Sequence, residues 1–446
     1  MRFSIRRGLD LPIAGRPEDT IEPGPTIRRV AVLGDDAVGL RPTFLVEEGD
    51  RVRLGATLFQ DKRLPGVRWT APAAGRVVAI HRGAKRRFVS LVIEADGGGE
   101  ESFAVAAADR EGVRAALLAS GLWTALRTRP FGRVPHPDSR PHSIFVTAID
   151  SRPLAPDPST VLAGHEQELV RGLEALTQLT DGAVHLCRRP GVPLPGAEVA
   201  RVAVHEFAGP HPAGLVGTHI HFVDPVHEKK TVWYVAYPDV VAIGHLLLTG
   251  RLETERVVAL GGPALLRPAL VRTCLGASID ELLAGRLGEG PVRRVSGSLL
   301  DGRTAIGPHA YLGRHHLQVC AISDERPRPR LGWARPGFDR FSARPVFASS
   351  LLGLAGRRPA LRFTTASNGD PRPILAIGSY EKVMPLDLLP TPLLKALAVG
   401  DSERARALGC LELEEEDLAL CSFVCPSKQD FGPRLREVLL RLEREA

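Results

Sequence analysis

The sequence has no long apolar segment. A membrane-spanning helix needs about 18 or more consecutive apolar residues, and the longest apolar region, Val232 to Leu248, is interrupted by a proline, an aspartate and a histidine. We therefore expect this region to be buried core of an α/β domain. The N-terminal residues are partly basic but contain no apolar run, which predicts that no secretory signal peptide is present.

Aromatic residues and cysteines are scarce. Aromatic side chains make up 5% of the chain and are not interleaved with basic ones, so no nucleic-acid partner is expected. Six cysteines in a long chain without a predicted signal peptide suit reduced thiols in the cytosol. No Ser-His-Asp or Cys-His arrangement and no P-loop is present, so we predict no catalytic residues in this chain.

The length, composition and net charge of the chain indicate a multidomain globular protein with an excess of basic residues. The chain has 446 residues, of which 44% are apolar and 24% charged, and this predicts two to four domains. The net charge of +7 suits an anionic membrane surface or an acidic partner. Arg82, Lys85, Arg86 and Arg87 are candidates for such a contact.

The stretch from Val46 to Gly83 has the pattern of a small β domain. Apolar and polar residues alternate, and glycines mark the turns. The pattern resembles the hammerhead of biotinyl and lipoyl carrier domains, in which a lysine at a hairpin tip is modified. Lys62 lies at that position, but Arg63–Val67 lengthens the turn, so we predict that Lys62 is unmodified. The alternative is a free-standing acyl or lipoyl-type carrier, or an enzyme that uses Lys62 or the α/β cleft.

Three local patterns carry further predictions. His219 and His221 are spaced for one face of a strand and could chelate zinc, but we predict a polar strand face and no metal. Ser278 is a candidate helix N-cap with Glu281 three residues later, which predicts a capping box. The acidic run from Glu412 to Asp417 is predicted to be a solvent-exposed face.

Five stretches together resemble one family. They are R-G-L-D-L-P-I-A-G at 7–15, G-L-R-P at 39–42, the modified hammerhead with R-G-A-K-R at 82–86, G-T-H-I-H-F at 217–222 and G-C-L-E-L-E-E-E-D-L-A-L-C-S-F-V-C-P at 409–426. They are similar to the A-type subunits of the sodium-translocating NADH:quinone oxidoreductases (Na+-NQR).

The resemblance implies a peripheral subunit on the cytoplasmic face of the bacterial inner membrane. Its partners would be five other subunits, chiefly a membrane-embedded flavin-carrying one. The complex oxidises NADH, reduces ubiquinone to ubiquinol and exports sodium, using NADH, flavins, iron and ubiquinone. This chain is expected to bind none of those cofactors, to be non-catalytic by itself, and to support assembly and the quinone-reduction step.

The resemblance also implies a fold. We predict an α+β multidomain protein with a β-rich biotinyl/lipoyl-like hammerhead domain and a degenerate nucleotide-binding-like α/β domain. A β-grasp-like (soluble ligand-binding) domain, a connector and a C-terminal helical domain follow. The predicted boundaries are 1–100, 101–254, 255–330, 331–386 and 387–446.

In related subunits a glycine-rich loop cradles flavin and NADH phosphates, because only glycine lets the backbone approach them closely. The corresponding stretch here, Gly121–Pro135, holds bulky side chains, so we predict that the nucleotide site has been lost. Aromatic and arginine side chains suit a flat ring with carbonyl oxygens. The candidate quinone or partner contacts are Trp123, Arg127, Arg129, Phe131 and Arg133. The alternative is that Trp123 and Phe131 fill the emptied cleft as core.

The C-terminal cysteines lack the spacing of an iron-sulfur site. A four-iron cluster uses C-x-x-C-x-x-C-x-x-x-C-P, and here Cys421 and Cys425 fill only its last two positions. We therefore predict that these thiols hold no cluster. A cluster completed by Cys410 and another residue, or a redox-active thiol pair, is the alternative.

Overall fold

The computed structural model describes residues 1–105, 108–325, 331, 334–354 and 360–445. These residues form four sheets and a C-terminal group of helices. Short 3-10 helices lie at Gly34–Asp36, Ala84–Arg86, Leu122–Ala125, Gly307–His309, Cys410–Glu412 and Glu415–Leu418.

Two small antiparallel sheets form the first domain. One has the strand order Arg29–Leu33, Phe88–Ala95, Gly75–Arg82, Arg51–Val52, and the other Pro42–Phe44, Thr57–Asp61, Arg68–Thr70. Aromatic rings pack together in its core: Phe59 stacks on Trp69 with ring centroids 5.4 Å apart, and meets Phe88 edge-on at 5.2 Å. Lys62 is exposed in the loop between two of these strands.

A six-stranded sheet forms the second domain. Its spatial order is Arg2–Ser4, Val202–Ala208, Val184–Arg188, Ile144–Ala148, Val232–Ala236, Arg127–Arg129. The first five strands are parallel and the last is antiparallel. The helices of this domain are Arg110–Ser120, Pro158–Leu162, Glu166–Leu179, Val216–Val223 and Tyr237–Thr249.

The order of the parallel strands reverses at one point. The chain moves outward from Ile144–Ala148 through two further strands, then returns to place Val232–Ala236 on the other side of the first. In open α/β sheets such a topological switch point leaves a crevice beyond the carboxyl ends of the two strands, where ligands bind. The strands and helices of the second domain therefore form a doubly wound sheet.

Two glycines let helices Glu166–Leu179 and Tyr237–Thr249 pack closely against each other. A Cβ atom on Gly172 would lie 2.1 Å from the Val240 carbonyl oxygen, and one on Gly244 would lie 1.8 Å from the Glu168 carbonyl oxygen. Both distances are shorter than any van der Waals contact, so a larger residue at either position would force the helices apart.

The third domain contains the second six-stranded sheet. Its order is Arg303–Thr304, Val292–Ser296, Gln318–Ser323, Glu255–Gly261, Ala269–Cys274, Ile21–Pro23. The short helix Ile279–Leu282 begins at Ser278, whose hydroxyl accepts a hydrogen bond from the Glu281 N–H. Only this half of the predicted capping box forms, because the Glu281 carboxylate accepts from the Arg28 and Arg29 backbone N–H groups.

The C-terminal helices have their own core. They are Pro390–Val399, Ser402–Ala407, Ala419–Val424 and Gly432–Glu445, and the short helix Ser349–Leu354 precedes them in the chain. Buried Leu393, Phe431, Leu435 and Leu439 belong to one apolar cluster. Within the described ranges, no helix has both the length and the apolar character needed to cross a membrane.

The N-terminal segment contributes strands to two other domains. Arg2–Ser4 pairs in parallel with Val202–Ala208, and Ile21–Pro23 pairs in parallel with Ala269–Cys274. The predicted first domain began at residue 1, whereas its own sheets begin at Arg29. The difference arises because the strands within residues 2–23 form their backbone hydrogen bonds with strands of the second and third domains.

Candidate functional site at the switch-point cavity

A cavity of about 400 Å³ lies at the switch point of the doubly wound sheet. It opens beyond the carboxyl ends of Ile144–Ala148 and Val232–Ala236, the two strands between which the order reverses. Residues from all parts of the fold line it, among them Asp36, Thr147, Asp150, Tyr237, Arg303 and Glu416. The cavity is thus assembled between domains, in the volume range of small-molecule sites.

Arg129 connects the second domain to the C-terminal helices. It lies on the edge strand, its side chain is 0% exposed, and its Nη1 donates to Asp417 Oδ2 at 2.8 Å and to the Glu412 carbonyl oxygen at 2.7 Å. Its Nε lies 3.1 Å from Glu414 Oε1. Burial alone would lower the pKa of Arg129, but the carboxylates of Glu414 and Asp417 raise it well above its ordinary value. The guanidinium therefore stays charged inside the protein.

Arg127 and Tyr234 complete this buried cluster. Arg127 Nη2 lies 3.0 Å from Glu414 Oε2, and the Tyr234 hydroxyl donates to the same oxygen at 2.7 Å. The guanidinium carbons of Arg127 and Arg129 lie 5.2 and 5.6 Å from the Tyr234 ring centroid, within cation–π range. Burial raises the pKa of Glu414, but the two arginines outweigh it and hold the pKa below its usual value.

The prediction that the acidic run is solvent-exposed is wrong. Glu414 is 2% exposed and Asp417 6% exposed. Their side chains form a capping box for the 3-10 helix Glu415–Leu418, each accepting from the other residue's backbone N–H. The three-residue spacing of two acidic side chains was the local signal for such a cap. The arginines that neutralise these carboxylates lie almost 300 residues away in the sequence.

Arg152 forms the second charged cluster, on the cavity wall. Its Nε donates to Asp301 Oδ2 at 2.8 Å, its Nη1 lies 3.3 Å from Asp150 Oδ2, and its Nη2 donates to Glu416. One guanidinium thus binds carboxylates from three domains. Burial raises the pKa of Glu416 to about 7, although Arg152 opposes the shift. Burial also raises the pKa of Asp150.

The five predicted contact residues have different surroundings, and of them only Arg127 lines the cavity. Trp123 is 0% exposed, donates from Nε1 to the Pro135 carbonyl oxygen at 2.9 Å, and meets Trp233 edge-on at 5.5 Å. It therefore lies in the core. A quinone or partner contact by the five residues stays a prediction.

Phe131 and Arg133 face the C-terminal helices. Phe131 is partly buried against their apolar cluster and has a positive φ of 77°. Arg133 Nε donates to Glu443 Oε1 at 2.8 Å, and its Nη1 donates to the Val38 carbonyl oxygen. The stretch predicted to correspond to a phosphate-binding loop is here in contact with the end of the same chain.

The prediction that His219 and His221 share a strand face is wrong. Both lie on the helix Val216–Val223, where residues two apart point in nearly opposite directions. His219 is buried, and its ring centroid lies 4.3 Å from that of Phe207, whereas His221 Nδ1 lies 2.7 Å from Glu412 Oε2. No three His, Cys, Asp or Glu side chains converge as metal ligands in the part of the chain that the structure describes. The absence of a metal stays a prediction.

Fold and cavity together define a class: an α+β multidomain protein whose doubly wound sheet is covered at its switch point by segments of its other domains. Three family descriptions match consecutive parts of the chain. "NqrA N-terminal barrel-sandwich hybrid domain" matches residues 3–96, "NqrA second alpha/beta domain" matches 108–252, and "NQRA C-terminal domain" matches 257–306.

Curated relatives match over the whole length. The A-type subunit of the Na(+)-translocating NADH-quinone reductase of Serratia proteamaculans is 53% identical over 99% of this chain and 100% of the relative. The corresponding subunits of Pseudomonas aeruginosa and Rhodopirellula baltica are 54% and 52% identical, again over 99% of this chain, and over 100% and 98% of their own lengths. The chain belongs to the NqrA family, the A-type subunits of the Na+-translocating NADH-quinone reductases.

A solved structure of an NAD+-reducing [NiFe]-hydrogenase in the H2-reduced state aligns with part of the chain. The identity is 14% and the TM-score 0.36, over 48% of this chain and 47% of that chain. The alignment thus spans about half the length of each.

Proposed function

We propose that this chain is the peripheral, cytoplasm-facing subunit of a bacterial membrane complex that oxidises NADH, reduces ubiquinone and exports sodium. The names of its full-length relatives support this role. Its partners would be five other subunits, chiefly a membrane-embedded one that carries flavin. Within the complex, the chain supports assembly and provides a pocket for the quinone head group.

The observation that carries the quinone role is the position and composition of the switch-point cavity. Its location is where open α/β sheets bind ligands. Apolar side chains such as Ile149, Val216 and Leu317 line it together with polar ones. A neutral ring with carbonyl oxygens matches such a mixed lining, because the apolar side chains cover the ring and the polar ones reach its oxygens.

The charges in the cavity disfavour a dinucleotide. Seven Asp or Glu residues line it but only four Arg residues, so phosphate groups would meet a net excess of carboxylates. At the stretch that corresponds to the phosphate-binding loop, the buried Arg129 is already bound by Glu414 and Asp417. A Cβ atom on Gly132 of this stretch would lie 2.5 Å from Glu414 Oε1. The residues present therefore do not fit a flavin or NADH phosphate group, which supports a subunit without its own redox cofactor.

The proposal is tested with the purified chain and the purified complex. The chain is titrated with ubiquinone-1, a short-tailed quinone, and binding is followed by saturation-transfer NMR. We expect saturable binding of one quinone per chain, no stoichiometric flavin or iron in the chain, and co-purification with membrane subunits from native membranes. Absence of saturable binding would reject the quinone role, and one flavin per chain would reject the cofactor-free role.

A further inference from the structure

Among the residues that the structure describes, three side chains on the cavity wall have buried hydrogen-bond donors without a partner. They are the hydroxyls of Tyr237 and Thr147 and the Nε and Nη2 of Arg303. Tyr237 is 2% exposed, so its hydroxyl cannot be satisfied by bulk water. A buried donor without an acceptor destabilises the folded state, and native proteins contain few of them. Three around one cavity indicate a ligand that accepts hydrogen bonds.

Arg303 has fewer hydrogen-bond partners than Arg152 and Arg436, which also line the cavity. Arg152 is bound by three carboxylates, and Arg436 by Glu415 and a backbone carbonyl oxygen. Arg303, in contrast, lies within ion-pair distance of one carboxylate in the described part of the chain, that of Asp36, with Nη1 to Oδ1 at 3.5 Å, and its Nε and Nη2 have no hydrogen-bond partner there. Its hydrogen-bonding capacity is therefore left for a ligand.

The three residues surround the switch point. Thr147 lies near the end of strand Ile144–Ala148, and Tyr237 is the first residue after strand Val232–Ala236. Arg303 comes from the edge strand of the third domain. The two strands that flank the crevice thus each supply a hydroxyl, and a neighbouring domain supplies a guanidinium.

We propose that Tyr237, Thr147 and Arg303 bind the carbonyl oxygens of the quinone head group, which gives the proposed quinone role its specific contact residues. A quinone carbonyl accepts hydrogen bonds but donates none, so it satisfies the unpaired donors without adding a donor of its own. The bond from Arg303 is charge-assisted and is the strongest of the three. Burial raises the pKa of Tyr237, so its hydroxyl remains a donor throughout the physiological pH range.

The test compares ubiquinone-1 binding by the purified chain and by the variants Tyr237→Phe, Thr147→Val and Arg303→Gln. We expect about 3- to 10-fold weaker binding for each hydroxyl variant and at least about tenfold weaker binding for Arg303→Gln. Tyr311→Phe and Arg272→Gln are matched controls, because both residues lie in the third domain and neither lines the cavity. Their affinities should equal that of the unaltered chain.

Thermal stability separates binding from folding. Removing an unpaired buried hydroxyl costs no hydrogen bond, so Tyr237→Phe and Thr147→Val should keep or raise the melting temperature while they lose affinity. Arg303→Lys serves as a second variant if Arg303→Gln does not fold. If the unaltered chain binds quinone and the three variants bind it equally well, these donors are not the contacts and only this inference fails. If the unaltered chain binds none, the proposed quinone role itself fails.

Discussion

Arg129 and Asp417 are 288 residues apart in the sequence, yet their side chains are joined by a buried hydrogen bond of 2.8 Å. This contact and the neighbouring one to Glu414 attach the C-terminal helices to the edge strand of the doubly wound sheet. The C-terminal part of the chain thereby completes the wall of the switch-point cavity.

The buried Arg129 should be essential for stability. Arg129→Met leaves the carboxylates of Glu414 and Asp417 buried without their main partner, and we expect a loss of about 3–5 kcal/mol in the free energy of unfolding, measured in urea. Arg140→Met is the control, because the Arg140–Asp181 pair is exposed and should contribute less than about 1 kcal/mol. Equal stability of the two variants would contradict this role of Arg129.

Trp123 should behave as core rather than as a contact residue. Trp123→Ala removes a fully buried ring packed on Trp233 and should destabilise by about 3–5 kcal/mol. Phe131→Ala should cost less, because Phe131 is only partly buried. A normal melting temperature of the Trp123 variant together with a raised quinone KM of the complex would instead assign Trp123 to the quinone site.

The carboxyl group of Glu416 should make stability depend on pH. Burial raises its pKa from 4.5 to about 7 in the folded protein, so the folded state holds this proton more tightly than the unfolded chain. The resulting stabilisation is complete below about pH 4.5 and is lost as the pH rises through 7. Glu416→Gln does not titrate, so its melting temperature relative to the unaltered chain should rise between pH 5 and pH 8. A relative melting temperature that falls or stays constant would contradict the raised pKa; Glu437→Gln, on an exposed helix face, is the control.

The basic hairpin of the first domain is a candidate membrane-side contact. Lys85 and Arg86 are exposed at its tip, both with positive φ. Lys85→Glu with Arg86→Glu should release the chain from native membranes at lower salt, because surface charge attraction is screened by ions. Lys395→Glu with Arg404→Glu, also exposed, should not change the release. Unaltered release of the hairpin variant at every salt concentration would exclude this contact.

The C-terminal thiols should hold no iron-sulfur cluster. Cys421 and Cys425 are buried, and the Cys425 sulfur lies 3.1 Å from the Tyr380 hydroxyl oxygen. Burial raises the pKa of the Cys421 thiol, which opposes the thiolate form that iron requires. Anaerobic reconstitution with iron and sulfide should produce no absorbance band near roughly 400 nm, where thiolate-bound clusters absorb. Such a band would overturn the prediction.

Local structure could be predicted from the sequence where a short pattern determines it. Leu169, Leu173, Leu176 and Leu179 recur at helical spacing, and all four are buried on the helix Glu166–Leu179. For His219 and His221 the spacing was ambiguous, because two histidines alone do not distinguish a strand from a short helix.

The candidate site could not be predicted in the same way, because its contacts join distant segments. Nothing near Glu414 in the sequence indicates that Arg129 neutralises it. Tyr237, Thr147 and Arg303 lie in no motif, and the proposal that they bind quinone arises only when the unpaired donors of the described residues are compared with the cavity wall.

The strands contributed by residues 2–23 determine what happens when the chain is cut between the first and second domains, for example at the three consecutive glycines Gly97–Gly99. A protease cut there would leave an N-terminal fragment whose first strands remain hydrogen-bonded within the second and third domains. The two fragments should therefore stay together as a nicked but folded protein. By the same reasoning, a second domain produced from residue 101 onward would expose the strand Val202–Ala208 as an open sheet edge, which favours aggregation.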